Sequence, residues 1–186
     1  IVESAAETLV PALVKALNKA ASKRKTNYKI HTINGDKNFF PNNLLTQTVE
    51  IERSHKKVKE NLIESGDEPI LSQEWEWENS PEITIKIIQD LNEGIQLCNQ
   101  YSPQFVASII STSEENKTQF YNKINAPFIG DGFTRWADGQ YALNVPELGL
   151  SNWENGRILG RSAVLNGNSV FTIRLKMTQE SPNIHR

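Results

Sequence analysis

Strand-like and helix-like segments alternate between residues 80 and 130, and this alternation restricts the fold more than any other feature of the sequence. Residues 83–88 read ITIKII, a β-branched run that is typical of a strand. The segments that follow are predicted helices at 91–100 and 113–124 and predicted strands at 105–110 and 128–129. Asp90 and Ser113 are suited to open the two helices. This order predicts an α/β fold whose mainly parallel sheet contains these three strands and has flanking helices.

The first part of the chain predicts a helix and a short strand. The helix covers 9–21, with Thr8 as its cap and Pro11 in its first turn. The strand covers 28–33 and ends at the turn signal Asn34-Gly35.

Three further segments predict less regular structure. The charged segment 49–63 is predicted to be a modest helix anchored by apolar residues near its end. Residues 74–78, which read EWEWE, fit either an edge strand or an extended loop. Residues 158–177 predict a β-hairpin that turns at Asn166-Gly167.

The composition excludes several classes of function. The net charge is −2, so no general positive field attracts nucleic acid or an anionic membrane. Hydrophobic residues make up 38% of the chain, which is typical of a globular domain, and no apolar run is long enough to span a membrane. Cys98 is the one cysteine, so an intrachain disulfide is impossible and a reducing, cytoplasmic location is expected. The start at Ile1, without Met, suggests a fragment of a longer protein.

The glycine-rich stretch 130–151 is the strongest candidate for a binding site. It follows the last predicted strand of the parallel sheet, where ligand sites commonly lie. An Arg between glycines, here Arg135, is suited to hold an anion, with Thr134 supplying a hydroxyl and Asp138 orienting the guanidinium. Alternatively, Asp131 and Asp138 pair with Arg135 and the arrangement only stabilises a loop.

The motifs TRWADG at 134–139 and PELGLS at 146–151 resemble the C-terminal signature of gamma-glutamyl phosphate reductase, a family in the aldehyde dehydrogenase superfamily. The segment AAETL at 5–9 and the strand and helix over 83–100 resemble other parts of that family. The resemblance extends from about residue 3 to about residue 174 and is broken by a divergent stretch at 25–72. It implies an aldehyde dehydrogenase-like catalytic lobe over 1–157, followed at 158–186 by a hairpin and tail that mediate homo-oligomer formation.

The resemblance also implies a chemistry, which this chain departs from. The family uses a cysteine that attacks the aldehyde carbon, with NADP as the hydride acceptor, in proline biosynthesis. Glu3 occupies the position of that nucleophile. Cys98 is on the apolar face of a predicted helix, and its side chain is expected to lie in the core. A carboxylate cannot form the thioester that the reaction requires.

The implied binding residues are partly altered. For a small anionic substrate they are Asp131, Gly132, Thr134, Arg135 and Asp138, with Asp131 and Phe133 departing from the family pattern. Glu78 is the nearest match to a glutamate that contacts the cofactor ribose, one residue out of register, and is alternatively a solvated acid. No dinucleotide-binding fingerprint is present, so we expect no NADP binding by this chain alone.

The sequence leaves two functions open. The chain is either part of a gamma-glutamyl phosphate reductase-like NADP-dependent enzyme or a non-catalytic lobe that acts in ligand binding, assembly or regulation. The histidines, including His31 in the predicted strand, show no spacing that suggests a metal site, and no metal is expected.

Overall fold

The computed structural model describes residues 1–54, 56–75, 79–104, 106–126, 128–131, 147–149, 153–154, 157–158 and 165–166, together with residues 174 and 176. The helices are α1 (Glu3–Lys23), α2 (Asn42–Leu45), α3 (Leu91–Tyr101) and α4 (Glu114–Lys123), with short 3-10 helices at Asp36–Phe39 and Glu68–Ser72. The strands of the first half are β1 (Lys29–Ile33), β2 (Thr48–Arg53), β3 (Lys56–Asn61), β4 (Ile63–Gly66) and β5 (Glu82–Ile85). The later strands are β6 (Val106–Ser108), β7 (Phe128–Gly130), β8 (Glu147–Gly149), β9 (Trp153–Glu154), β10 (Arg157–Ile158) and β11 (Leu165–Asn166).

The central sheet has the order β4-β1-β5, and both pairings are parallel. Ile30 lies beside Ile63 and Ile83, so these three side chains share one face of the sheet. The neighbouring register positions place Glu64 beside His31 and Glu82 beside Lys29 on the opposite face. We call the face that carries Lys29, His31, Glu64, Glu82 and Thr84 the polar face.

Helix α1 packs with the apolar face of this sheet. Its buried residues Ala6, Val10, Leu17 and Ala21 recur at helical spacing and belong to the same hydrophobic cluster as Ile30. All five residues of β1 are buried, as expected of a central parallel strand with both faces covered.

The start of α1 differs from the sequence prediction. The helix begins at Glu3, after Val2, and Pro11 lies inside it and not in its first turn. A parallel bridge between Val2 and Ile88, and a 2.8 Å hydrogen bond donated by the Glu3 backbone N–H to the Ile88 carbonyl, hold this end. These are contacts between distant parts of the chain, so the local signal of Thr8 and Pro11 was misleading.

The helix predicted over 49–63 is wrong, because β2 and β3 form an antiparallel hairpin there. In β2, Val49 and Ile51 are buried and the intervening Glu50 is exposed, which is the period of a strand. The register places Arg53 and Glu60 on the same side as Ile51, while opposite charges such as Glu50 and Lys59 face each other on the outer side.

The predicted three-stranded sheet is also corrected. Strand β5 pairs with β1, whereas β6 and β7 pair with each other in a separate parallel sheet. The strand predicted at 105–110 is shorter in the structure, where β6 ends at Ser108; Val106 is 38% exposed and Ile110, beyond the strand, is 91% exposed. The helices over this part agree with the prediction: Asp90 caps α3 and Ser113 caps α4, each accepting a backbone N–H bond.

The described strands of the C-terminal region pair antiparallel. β9 pairs with β10, and β11 pairs with β8, so Asn166, predicted as a turn residue, lies in a strand. The remaining residues of the predicted hairpin at 158–177 lie outside the described part, apart from residues 174 and 176. The division of the chain at residues 157 and 158 stays a prediction. Among the described residues, no helix has the length and apolar character needed to cross a membrane.

Replacing Ile51 by Ala should test the placement of β2 in the core. Ile51 is fully buried, so the substitution should lower the free energy of unfolding by about 2–5 kcal/mol. The matched control is Leu9→Ala on α1, where the leucine is 46% exposed, and its loss should stay below about 1 kcal/mol. Urea denaturation measures both, and equal losses would contradict the placement of Ile51.

Candidate functional site

A cluster of ionised side chains covers the polar face of the central sheet. Glu82 of β5 is 2% exposed, and its carboxylate meets residues from two other elements. Its Oε1 accepts hydrogen bonds from His31 Nε2 at 2.6 Å and from Arg53 Nη2 at 2.8 Å, and its Oε2 accepts one from Arg53 Nη1 at 2.5 Å. Hairpin β2–β3 is thereby tied to the sheet.

The contacts determine the charge of Glu82. Burial alone raises the pKa of this carboxyl group, but the hydrogen bonds from His31 and Arg53 outweigh it and lower the pKa to about 2. The carboxylate is therefore ionised at neutral pH and can only accept. Consequently His31 Nε2 carries the proton that it shares with Glu82.

Glu60 links the same arginine to a buried lysine. Its carboxylate accepts from Arg53 Nε and Nη2, both at 3.0 Å, and also pairs with Lys29 Nζ. The hydrogen bonds from Arg53, followed by those from Lys29, lower the pKa of Glu60 to about 2. Lys29, which is 2% exposed, forms a second ion pair of 2.7 Å with Glu64 Oε2.

Trp75 covers the imidazole of His31. The two rings stack with their centroids 3.8 Å apart and their planes 6° from parallel. The Trp75 Nε1–H donates a 2.8 Å hydrogen bond to Thr84 Oγ1, which fixes the indole over the sheet. Among the described residues, His31 Nδ1 is a buried atom that has no hydrogen-bond partner.

These residues surround a cavity of about 590 Å³, a size typical of small-molecule sites. Its wall is formed by Lys29, His31, Arg53, Glu60, Glu64, Ser65, Ile70, Gln73, Glu74 and Trp75. Within the described ranges, no group of three or more histidine, cysteine, aspartate and glutamate residues is arranged to hold a metal ion. We refer to this space as the polar-face cavity.

The predicted nucleophile position lies elsewhere in the fold. Glu3 is exposed in the first turn of α1, beside Ile88. A smaller cavity of about 250 Å³ is lined by Ile1, Ile88 and Cys98, among others. Cys98 is exposed at the wall of this cavity, so its predicted place in the core is wrong. The protein atoms around it still remove part of the water from the thiol, and this desolvation raises its pKa.

The predicted substrate loop is described only at its start. Asp131 is exposed, and its Oδ2 lies 3.2 Å from Lys117 Nζ of α4. Gly132, Thr134, Arg135 and Asp138 lie outside the described residues, as does Glu78. Their assignment to substrate or cofactor binding stays a prediction.

Sequence reasoning did not find the polar-face cavity. His31 was predicted to carry little function, yet the structure places it at the centre of the cluster. A signal was present in the run KIHTI, where strand alternation puts Lys29 and His31 on the same face. Their partners were not predictable, because Glu82 lies 51 residues from His31 along the chain.

Comparison with known proteins supports the fold. No family model matches the chain. The chain is similar to the crystal structure of gamma-glutamyl phosphate reductase from Thermotoga maritima, with a TM-score of 0.57 and 16% sequence identity. The likeness covers 79% of this chain and 29% of that one. It confirms the predicted α/β fold with a parallel sheet and flanking helices, and thus a structural relation to that enzyme.

The ionised cluster should make the stability of the protein depend on acid. Glu60 and Glu82 have pKa values of about 2, below the ordinary value of 4.5, so their contribution is present above 4.5 and is lost as the pH falls towards 2. Glu60→Gln replaces one of these two carboxyl groups with an amide that does not titrate. Urea denaturation between about pH 7 and about pH 3 should therefore show a smaller loss of stability in this variant than in the parent.

The control for this measurement is Glu115→Gln on α4. Glu115 is exposed, and its substitution should leave the acid dependence of the parent unchanged. An identical pH dependence in the parent and in Glu60→Gln would contradict the proposed role of the Glu60 ion pairs.

Proposed function

We propose that this chain is a non-catalytic relative of the gamma-glutamyl phosphate reductase lobe, acting in ligand binding or assembly. The observation that supports this proposal is the carboxylate of Glu3 in the first turn of α1, at the position where the resembling family has its nucleophile. The segment after β5 reaches the start of α1 at this residue, because the Glu3 backbone N–H donates a hydrogen bond to the Ile88 carbonyl. A helix start stabilises a thiolate, and it also stabilises a carboxylate, so a glutamate is compatible with this position.

No other residue of the chain supplies the missing thiol. Covalent catalysis on an aldehyde needs a thiolate, and the sequence has a single cysteine. The raised pKa of Cys98 is the opposite of what an activated nucleophile requires. In this proposal the Arg135 loop retains an anion-binding role in a cytoplasmic protein without carrying out hydride transfer.

The second candidate is a working part of an NADP-dependent glutamate-5-semialdehyde dehydrogenase in proline biosynthesis. The fold likeness and the TRWADG motif favour it. Because the chain spans 29% of the length of the Thermotoga protein, the activity of such an enzyme would draw on parts that this sequence does not include.

A cysteine placed at position 3 tests whether this is a former nucleophile site. In a Cys98→Ser background, Glu3→Cys should give a thiol with a lowered pKa, because the helix N-terminus stabilises the thiolate. Its reaction with iodoacetamide at neutral pH should be faster than that of Glu7→Cys in the same background. Glu7 is also exposed on α1 but lies one turn further along, so it is a matched control.

The parent chain should show no NADP-dependent oxidation of glutamate 5-semialdehyde. Turnover by the parent above a protein-free control would refute the non-catalytic proposal. Equal labelling rates at positions 3 and 7 would remove the argument that position 3 is a nucleophile site.

We also propose that the chain forms a homo-oligomer through residues 158–177. The proposal rests on the apolar, β-rich sequence of this segment, because exposed strand edges pair readily and two-fold dimers are the commonest result. Light scattering should give about twice the chain mass of 21.0 kDa, and a truncation before residue 158 should give the monomer mass. A monomer mass for the full chain at high concentration would count against the proposal.

A further inference from the structure

We propose that the polar-face cavity binds a small aliphatic amine through its ammonium group. This inference goes beyond the function proposed above and does not depend on Glu3, which lies outside the cavity wall. It rests on the charges of the wall, on its apolar part, and on the His31 nitrogen that has no hydrogen-bond partner among the described residues.

The charges of the wall favour a cation. Three carboxylates, those of Glu60, Glu64 and Glu74, line the cavity together with the two cations Lys29 and Arg53. The ionised Glu82 lies directly behind them. The wall itself thus carries three carboxylates against the two cationic groups, and this excess of negative charge attracts a positive ligand.

The two cations of the wall are already engaged. Arg53 directs Nε and both terminal nitrogens at Glu60 and Glu82. Lys29 pairs with Glu60 and Glu64. An anionic ligand would have to compete with carboxylates that are held in place, whereas an ammonium group adds donors that the carboxylates can still accept.

His31 supplies the second, independent reason for a ligand. The residue is 3% exposed and lines the cavity, and its Nε2–H is committed to Glu82. Nδ1 has no hydrogen-bond partner among the described residues. A buried polar nitrogen without a partner is costly, so a ligand group that reaches Nδ1 would form a hydrogen bond that the described residues do not supply.

The wall of the cavity also suits an aliphatic chain, because Ile70 and Trp75 give it an apolar part. Glu64, whose side chain is 53% exposed, and the exposed Glu74 are open to solvent and can hold a second ammonium group. A linear diamine therefore offers one ammonium group to the buried carboxylates and a second to the exposed ones.

Titration calorimetry with 1,4-diaminobutane tests the proposal, with succinate as a probe of equal chain length and opposite charge. At neutral pH and constant ionic strength, the diamine should bind saturably with one site per chain, and succinate should give no saturable heat. Binding of succinate in place of the diamine would overturn the proposal, and so would the absence of saturable diamine binding.

Two variants locate the site on the protein. Glu64→Gln and Glu74→Gln keep the side-chain shape and remove one negative charge each, so each should weaken diamine binding by about tenfold. Glu115→Gln removes an exposed carboxylate of α4 and should bind as the parent does. Equal affinities in all three variants would show that the diamine binds elsewhere and would overturn the assignment.

A spectroscopic measurement covers the case in which a variant folds poorly. In the parent chain labelled with ¹⁵N in its histidines, the Nδ1 resonance of His31 should shift on addition of the diamine, because this nitrogen gains a donor. The resonances of His185, which serves as an internal reference near the C-terminus, should stay unchanged. An unchanged His31 Nδ1 resonance at saturation would exclude contact with the imidazole and overturn the proposal.

Discussion

The carboxylate of Glu82 is the interaction on which the rest of the central sheet depends. An ionised carboxylate with 2% exposure is stable only if its oxygens accept several strong hydrogen bonds. One comes from His31 on the neighbouring strand β1, and the others come from Arg53 at the end of β2. The hairpin therefore cannot be separated from the sheet without leaving a buried charge unpaired, and the two parts should fold together.

The apolar face of the central sheet belongs to the hydrophobic core, and the polar face carries residues of the candidate site. The apolar face packs with α1, which belongs to the part of the chain that resembles the reductase family. On the polar face, Arg53 of β2 contacts Glu82 and Glu60 of β3 pairs with Lys29. Both strands, like β1 and β4, lie within residues 25–72, which are predicted to diverge from the family. Glu82 begins β5, whereas Ile88, which holds the start of α1, lies three residues beyond the end of that strand, and Glu3 is not in the cavity wall. The polar-face cavity and the Glu3 position are therefore separate places on a shared scaffold.

The sequence predicted those elements whose signals are local. Asp90 and Ser113 cap their helices through side chains three residues from the N–H groups they accept, so both helix starts were readable. The start of α1 was not predictable from local signals, because Ile88, three residues after the end of β5, holds it. The hairpin was missed because the charged residues of 49–63 masked the alternation around Ile51. The cavity was missed because the charges of its wall come from four strands and from Glu74, which only the tertiary structure brings together.

The same cluster also fixes the register of the strands. A shift of β1 by one residue would carry Lys29 and His31 into the apolar cluster and expose Ile30 to Arg53, so the ion pairs exclude that alternative. A network that served register alone would be complete when each buried polar atom had a partner. Here Glu82, Glu60 and Lys29 are satisfied, and among the described residues His31 Nδ1 is the buried side-chain atom that is not. Among the described residues, the incomplete part of the network therefore belongs to a residue that also lines the cavity, which register alone does not explain.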